Sequence, residues 1–260
     1  MESLMPHPTL DEICSFMDCE LNSATFKDSS LNGLQIESRV QEISRIGFAV
    51  DAGYSVAEKA VESGCQLLVV HHGLLWGQCE RIVGRWARKL ELFLSHGLSL
   101  YVSHLPLDGH IVHGNAAQIA SLLKLSGVMS YFEYQGSHVG VKGHFAEPLT
   151  IEAVESLLSG IEGASARPVI LPFGKRQIRT VGIATGSGCG EIPVAAQSAI
   201  DLFITGEPKQ SAYHTAKELG ISVMCIGHYA SETFGVRALE NVLKKRFRVE
   251  TVWISEPTGI

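Results

Sequence analysis

The chain has 260 residues, 45% of them hydrophobic and 18% charged. That apolar share excludes a disordered chain and suffices for a sizeable core, and at roughly 150 residues per domain the length suits one large domain or two smaller ones. Lys and Arg number 21 against 27 Asp and Glu, a net charge of −6, which argues against sequence-independent nucleic-acid binding, a function that runs on basic side chains.

In chain order, 9–20 is predicted as a helix with Leu10, Ile13, Phe16 and Met17 on one face. Strand 46–50, helix 55–62, strand 66–70, helix 85–95 and strand 98–103 follow, and Asn115 is read as the cap of a helix reaching about Leu125. The second half reads as helix 151–158, strands 167–171 and 181–185, helix 193–199, strand 201–205, helix 211–219, strand 221–226 and helix 231–245. Strands alternating with helices of this length mean an α/β fold with a largely parallel sheet. The continuous apolar run QLLVV (66–70) suits a strand buried on both faces.

The two halves match in order and in letters. AEKAVESGCQLLVVHHG (57–73) parallels PVAAQSAIDLFITGE (193–207), and SHGLSLYVSHLPLD (95–108) parallels KELGISVMCIGHYASE (217–232). Each half ends a strand with His-x-x-x-carboxylate, as His104 and Asp108 or His228 and Glu232. A duplication is the preferred reading, with a first α/β repeat over 1–127 and a second over 128–260.

No apolar run approaches the roughly 20 residues that span a bilayer. The opening MESLMPHPTL has an early Glu, no basic cluster and no apolar core, so no signal peptide is read there. The Cys at 14, 19, 65, 79, 189 and 225 form no C-x-x-C pair, and Cys65 and Cys225 read as buried hydrophobes. A reduced, cytosolic protein is expected.

The chemistry gathers at strand carboxyl ends, where open α/β sheets bind ligands. His71 and His72 follow strand 66–70, where the alternation of faces relaxes and two adjacent imidazoles can serve neighbouring metal ions. Pro106 argues against a shared helical turn for His104 and Asp108, so a strand end plus loop is expected. Ser231 is a plausible N-cap that places Glu232 in a first helical turn, where its charge also suits the helix dipole. Each piece alone has a structural alternative: histidines capping strands or turns, and an acid answering a dipole. Together, His71, His72, Asp108, His228 and Glu232 make the ligand set of a dinuclear site for Zn²⁺, Fe²⁺, Mn²⁺ or a similar ion, since a carboxylate offers two oxygens to two cations. H-E-x-x-H, G-x-S-x-G and P-loop patterns are absent. TGSGCGE (185–191) reads as a tight turn or as a nest of backbone N–H groups for an anion. KKRFR (244–248) reads as a solvated helix end.

The segments LNGLQIE (31–37), AVDA (49–52), HHGLLW (71–76), SHLPLDGH (103–110), HGNA (113–116), TGEPKQSAYHTAKELG (205–220) and GHYASETFG (227–235) resemble the Nif-three-like family. That family is named for an NGG-one interacting factor and is also labelled GTP cyclohydrolase I type two. The resemblance covers essentially the whole chain. It implies two intertwined α/β repeats, a dinuclear metal centre and a ring-shaped homohexamer. The family's metal ligands fall on His71, His72, Asp108, His228 and Glu232 without substitution, and His104 matches a further histidine near the metals. The interval between the repeats is that of the short form, without the inserted domain of some relatives. The expected function is hydrolysis of a small-molecule substrate by two divalent ions per chain, with His104 as general base or orienter. The alternative is a metal-binding chaperone, store or interaction protein without turnover.

Overall fold

The computed structural model describes residues 6–78, 81–163 and 167–260. The first five residues of the opening segment and Cys79 therefore lie outside the described residues. The elements run α1 (Leu10–Glu20), β1 (Gly33–Ile36), β2 (Arg45–Asp51), α2 (Tyr54–Glu62), β3 (Leu67–His72), α3 (Arg85–Ser95), β4 (Ser99–Val102), α4 (Leu105–Gly109) and α5 (Asn115–Leu122). They continue with β5 (Ser126–Tyr134), β6 (Ser137–Leu149), α6 (Ile151–Leu157), β7 (Val169–Pro172), β8 (Ile178–Ile183), α7 (Ile192–Gln197) and β9 (Leu202–Thr205). The last are α8 (Gln210–Leu219), β10 (Ser222–Cys225), α9 (His228–Arg246) and β11 (Glu250–Trp253). Among the described residues no helix is long and apolar enough to cross a membrane.

Local chemistry accounts for the ends of several elements. Thr9 and Glu12 close a capping box on α1: the Thr9 hydroxyl accepts from the Glu12 N–H at 3.2 Å, and the Glu12 carboxylate accepts from the Thr9 N–H at 2.8 Å. Leu10, Ile13 and Met17 are then buried on one face. Gly97 after α3 and Gly220 after α8 both take a positive φ, the left-handed turn that leads each helix into the next strand.

Two compact units result. The first runs through Pro106 and takes in Val236–Glu256; the second is Leu107–Gly235 with Pro257–Ile260. These cuts differ from the repeat boundary drawn at 127 and 128. The first unit's sheet has the order β1-β4-β3-β2-β11, with β1 antiparallel and the rest parallel. The second unit's sheet has the order β5-β6-β8-β9-β10-β7. There β8, β9 and β10 are parallel, and β7, β6 and β5 are antiparallel to their neighbours. Helices flank both sheets. Val70, Leu100 and Phe93 belong to the first unit's core, and Val181, Leu202 and Met224 to the second's.

The block β1-β4-β3-β2 recurs as β7-β10-β9-β8, in the same order and directions, and with the same polar anchors. Ile46 pairs with Leu67, and Val181 with Leu202. One residue before each inner strand, a side chain caps the start of the next. Gln66 Oε1 accepts from the N–H groups of Ser44 (3.1 Å) and Arg45 (2.8 Å), and Asp201 Oδ2 accepts from those of Arg179 (3.0 Å) and Thr180 (2.9 Å). Likewise the Ser99 hydroxyl accepts from Ser38 N–H and the Ser222 hydroxyl from Gly174 N–H, both at 3.0 Å.

Several elements depart from the sequence reading. Strand β3 extends through both histidines, because the ladder to β2 continues to Asp51 and His72. Asp108 lies in the short helix α4 rather than a loop; Pro106 sits in its first turn, where the missing N–H costs nothing. Asn115 is not a cap, since Gly114 holds that place. Helix α9 begins at His228, so Ser231 lies within it and its hydroxyl donates back to the His228 carbonyl at 2.9 Å. Strands β1, β5, β6 and β11 fall where the sequence pattern predicts no strand. The β5–β6 hairpin has largely exposed residues and no clean alternation. Cys65 and Cys225 are buried, as read.

Burial works to raise the Asp201 carboxyl pKa, but Lys175 and the two N–H donors outweigh it and hold it low. Asp201→Ala leaves two strand-start N–H groups without their acceptor. It is expected to destabilise the chain by about 1–3 kcal/mol in urea unfolding, against roughly 0.5 kcal/mol or less for the exposed Glu218→Ala.

Candidate metal centre

In the first unit, β3 and the end of β4 bring three imidazoles together. Ring centroids lie 4.7 Å apart for His71 and His72, 5.0 Å for His71 and His104, and 5.7 Å for His72 and His104. One ring nitrogen from each falls within 4.8 Å of the other two. Each Nδ1 is held by an oxygen: His71 by the Ser103 carbonyl at 2.8 Å, His72 by Asp51 at 2.9 Å, His104 by Asp28 at 3.0 Å. A neutral imidazole that donates from Nδ1 carries its lone pair on Nε2, the arrangement found where histidine ligates a metal.

Asp28 is the most built-in of these acceptors, its side chain only 3% exposed. It also accepts from Ser30 N–H (3.0 Å), the Asn32 amide (2.9 Å) and Leu105 N–H (3.0 Å). Burial alone would raise its pKa, but the hydrogen bond and charge of His104, then Asn32 and Ser30, hold it well below the usual carboxylate range. Asn32 also accepts the His104 backbone N–H at 2.7 Å, and the Trp76 ring stands edge-on to His104 at 5.0 Å. Gln35 accepts from the N–H groups of Leu74 and Leu75 at 2.8 and 3.0 Å, fixing the turn that follows His72.

In the second unit, His228 and Glu232 stand one turn apart on α9, with Nε2 and Oε2 3.2 Å apart. His228 Nδ1 meets Glu207 at 3.0 Å, and Glu207 accepts from the Ser187 hydroxyl at 2.5 Å. Asp108 is buried and accepts from the Asn115 amide (2.9 Å) and the Thr185 hydroxyl (3.1 Å). Asn115 in turn accepts from Gly235 N–H at 2.7 Å, tying the Asp108 segment to α9. Carboxylate oxygens of Asp108 and Glu232 lie within 4.8 Å of each other. The glycine-rich segment is a tight turn: Gly186 N–H donates to the Ser231 hydroxyl at 3.1 Å, and its carbonyl accepts from Gly206 and Glu207. Gly186 has a φ of +58°, and a Cβ there would stand 2.3 Å from Glu232 Oε1.

The first unit thus presents a set suited to a divalent cation, three imidazoles held at Nδ1; in the second, the Asp108 and Glu232 carboxylates lie near each other and Glu232 meets His228. Asp28, Asn32, Gln35, Asp51 and Thr185, which fix the donors, have no role in the sequence reading. Asn115 is read there as a helix cap, and Glu207 aligns with the double-histidine position of the first repeat.

Two outcomes follow for metal-free protein. Gly186→Ala forces Glu232 aside and strains a left-handed turn, so it should lower stability by about 1–3 kcal/mol in urea. Burial works to lower the His228 pKa, but the bonds and charges of Glu232 and then Glu207 outweigh it and push it up to about 9. Its contribution to stability is therefore complete below the unfolded value near 6.5 and is lost as pH rises through about 9. The urea midpoint should fall across that window, with a shallower fall in Glu207→Gln; equal slopes would refute the assignment.

Comparison with known proteins identifies the family. The profile of the family described as Duf34/NIF3 (NGG1p interacting factor 3) matches residues 8–258. The chain is 39% identical over 254 residues to a GTP cyclohydrolase 1 type 2 homolog of Pyrococcus abyssi, covering 96% of this chain and 99% of the relative. It is 40% identical over 251 residues to the protein of that name from Pyrococcus horikoshii, with the same shares covered. The crystal structure of TTHA1606 from Thermus thermophilus superposes with a TM-score of 0.89 at 38% identity, covering 97% of this chain and 100% of that one. The protein ybgI, described as of unknown function, gives 0.89 at 31% identity with the same coverage. The chain belongs to the DUF34/NIF3 family.

Proposed function

We propose that the chain is a metal-dependent hydrolase that binds two divalent ions through His71, His72, Asp108, His228 and Glu232. The observation that carries this reading is the repeated Nδ1 anchor on His71 and His72, which sets the tautomer a ligand needs, with His228 oriented by Glu207 in the same way. Bound there, divalent ions supply Lewis acidity and a water of lowered pKa. The protein does the rest. Asp51 and Glu207 orient their histidines, and Asn115 with Thr185 holds Asp108. His104 takes a proton at Nε2 as general base, while Asp28 steadies the Nδ1–H. The name shared by the relatives suggests hydrolytic opening of a guanine imidazole ring, or attack on a related nucleotide or phosphoester. A homohexamer in the cytosol completes the reading, and a monomer mass by light scattering at micromolar concentration would remove the hexamer.

Metal analysis of purified, reloaded protein should give two ions per chain, because five protein ligands plus water exceed one tetrahedral ion. One or fewer would sink the dinuclear reading. Glu232→Gln should lose more metal than Glu207→Gln, which removes an orienting group but no ligand.

Asp108→Asn and His72→Ala should abolish hydrolysis. His104→Ala should keep most of the metal and slow turnover by about 10² to 10⁴. Metal loss in step with activity would make His104 a ligand instead. Wild-type protein that holds two metals and hydrolyses nothing across a broad panel of nucleotides and phosphoesters would favour a metal chaperone or store.

A further inference from the structure

Directly after His72, the chain forms one wall of a cavity of about 260 Å³ lined by Gly73, Leu74, Arg85, Trp86 and Lys89. That is smaller than the roughly 300–1,000 Å³ of a pocket for a whole small molecule, so it suits one group of a larger ligand. Its composition is one-sided. Arg85, Trp86 and Lys89 carry only hydrogen-bond donors, and no acidic or other acceptor side chain lines the space. Among the described residues neither Arg85 nor Lys89 meets a carboxylate. Burial and the neighbouring Arg85 charge push the Lys89 ammonium below its ordinary range, as expected where cations face a cavity without an answering anion.

Two further features strengthen this. Arg85 and Lys89 stand one turn apart in the first part of α3, an 11-residue helix with no acidic residue in its first turn and no side-chain cap, so its positive end adds to their charge. The facing wall is rigid. A Cβ on Gly73 would stand 2.4 Å from Val102 and 2.6 Å from Gln35, and Gln35 clamps the N–H groups of Leu74 and Leu75. In a chain of net charge −6, two cations that meet no carboxylate among the described residues, close in the chain to a proposed ligand, mark a place for an anion.

We propose that this cavity binds a phosphoryl group of the substrate, with Arg85 and Lys89 as its ligands and the Trp86 indole N–H as a third donor. A phosphate accepts from several donors at once, and a guanidinium beside an ammonium matches its charge and shape. Anchoring that group one residue from His72 sets how the rest of the substrate enters. The inference rests on the proposed hydrolase for the reacting centre; the anion site itself does not need it.

The test uses full-length protein stripped with chelator, so that phosphate cannot ride on a bound metal. Pyrophosphate, guanosine monophosphate and guanosine are titrated by calorimetry against wild type, Arg85→Gln, Lys89→Gln, Lys89→Arg and the exposed control Lys245→Gln. Each Gln variant should weaken pyrophosphate and guanosine monophosphate about tenfold or more, the loss of one charge-assisted hydrogen bond. Lys89→Arg and Lys245→Gln should stay near wild type, and guanosine should bind equally to all. Phosphate binding that is unchanged in both Gln variants, or that vanishes with the metal, overturns the site. Pyrophosphate binding without tighter binding of guanosine monophosphate than guanosine overturns its assignment to substrate. Metal content on the same preparations, measured after reloading, separates the two readings: a value below two per chain removes the dinuclear hydrolase and leaves the phosphate affinities as evidence on the cavity alone.

Discussion

An imidazole has two nitrogens and, when neutral, one proton. To offer a lone pair in a chosen direction it needs an acceptor that holds the proton on the other side. Four histidines here have such an acceptor at Nδ1, the Ser103 carbonyl, Asp51, Asp28 and Glu207, and for His228 the second nitrogen also faces a carboxylate, Glu232. Much of the surrounding structure serves those four oxygens. Asp28 can stay charged while buried because Ser30, Asn32 and Leu105 also donate to it. Ser103 offers its carbonyl at the right height because its own N–H continues the ladder to Val70 at 3.0 Å. Glu207 is held below the usual carboxylate range by Ser187 and then His228, so it remains an acceptor across neutral pH.

How much of this was legible in the sequence depended on the range of the interaction. Helices α1 and α3 were read nearly to the residue because their signals are local: a capping box in one, a strong apolar face in the other. The five proposed ligands were legible because metal chemistry restricts residue type. Their supports were not. Asp28 and His104 are 76 residues apart, Gln35 and Leu74 39 residues apart, and no short pattern links such pairs. Local rules misled where tertiary contacts took over. Ser231 looks like an N-cap, yet the helix starts at His228, whose N–H donates to the Ile260 carbonyl at 2.7 Å. Asn115 looks like a cap and instead spends its amide on Asp108 and Gly235, while Gly114 begins the helix.

The recurrent sheet block differs between its two ends. At the strand starts the two blocks agree, Gln66 with Asp201 and Ser99 with Ser222, because N–H groups at the edge of a ladder need acceptors in either block. At the strand ends the chain leaves the ladder, and that constraint lapses. Matching Leu67 with Leu202 and Ile46 with Val181 sets His72 against Glu207 and Asp51 against Gly186. In the first repeat Asp51 orients His72. In the second, Glu207 orients His228 from α9, and the place of Asp51 has shrunk to a glycine that makes room for Glu232. One repeat thus supplies a donor where the other supplies an orienter. Two copies of one scaffold thus carry different side chains at equivalent strand ends: a histidine with its carboxylate orienter in one, and in the other a carboxylate orienter with a glycine in the facing place.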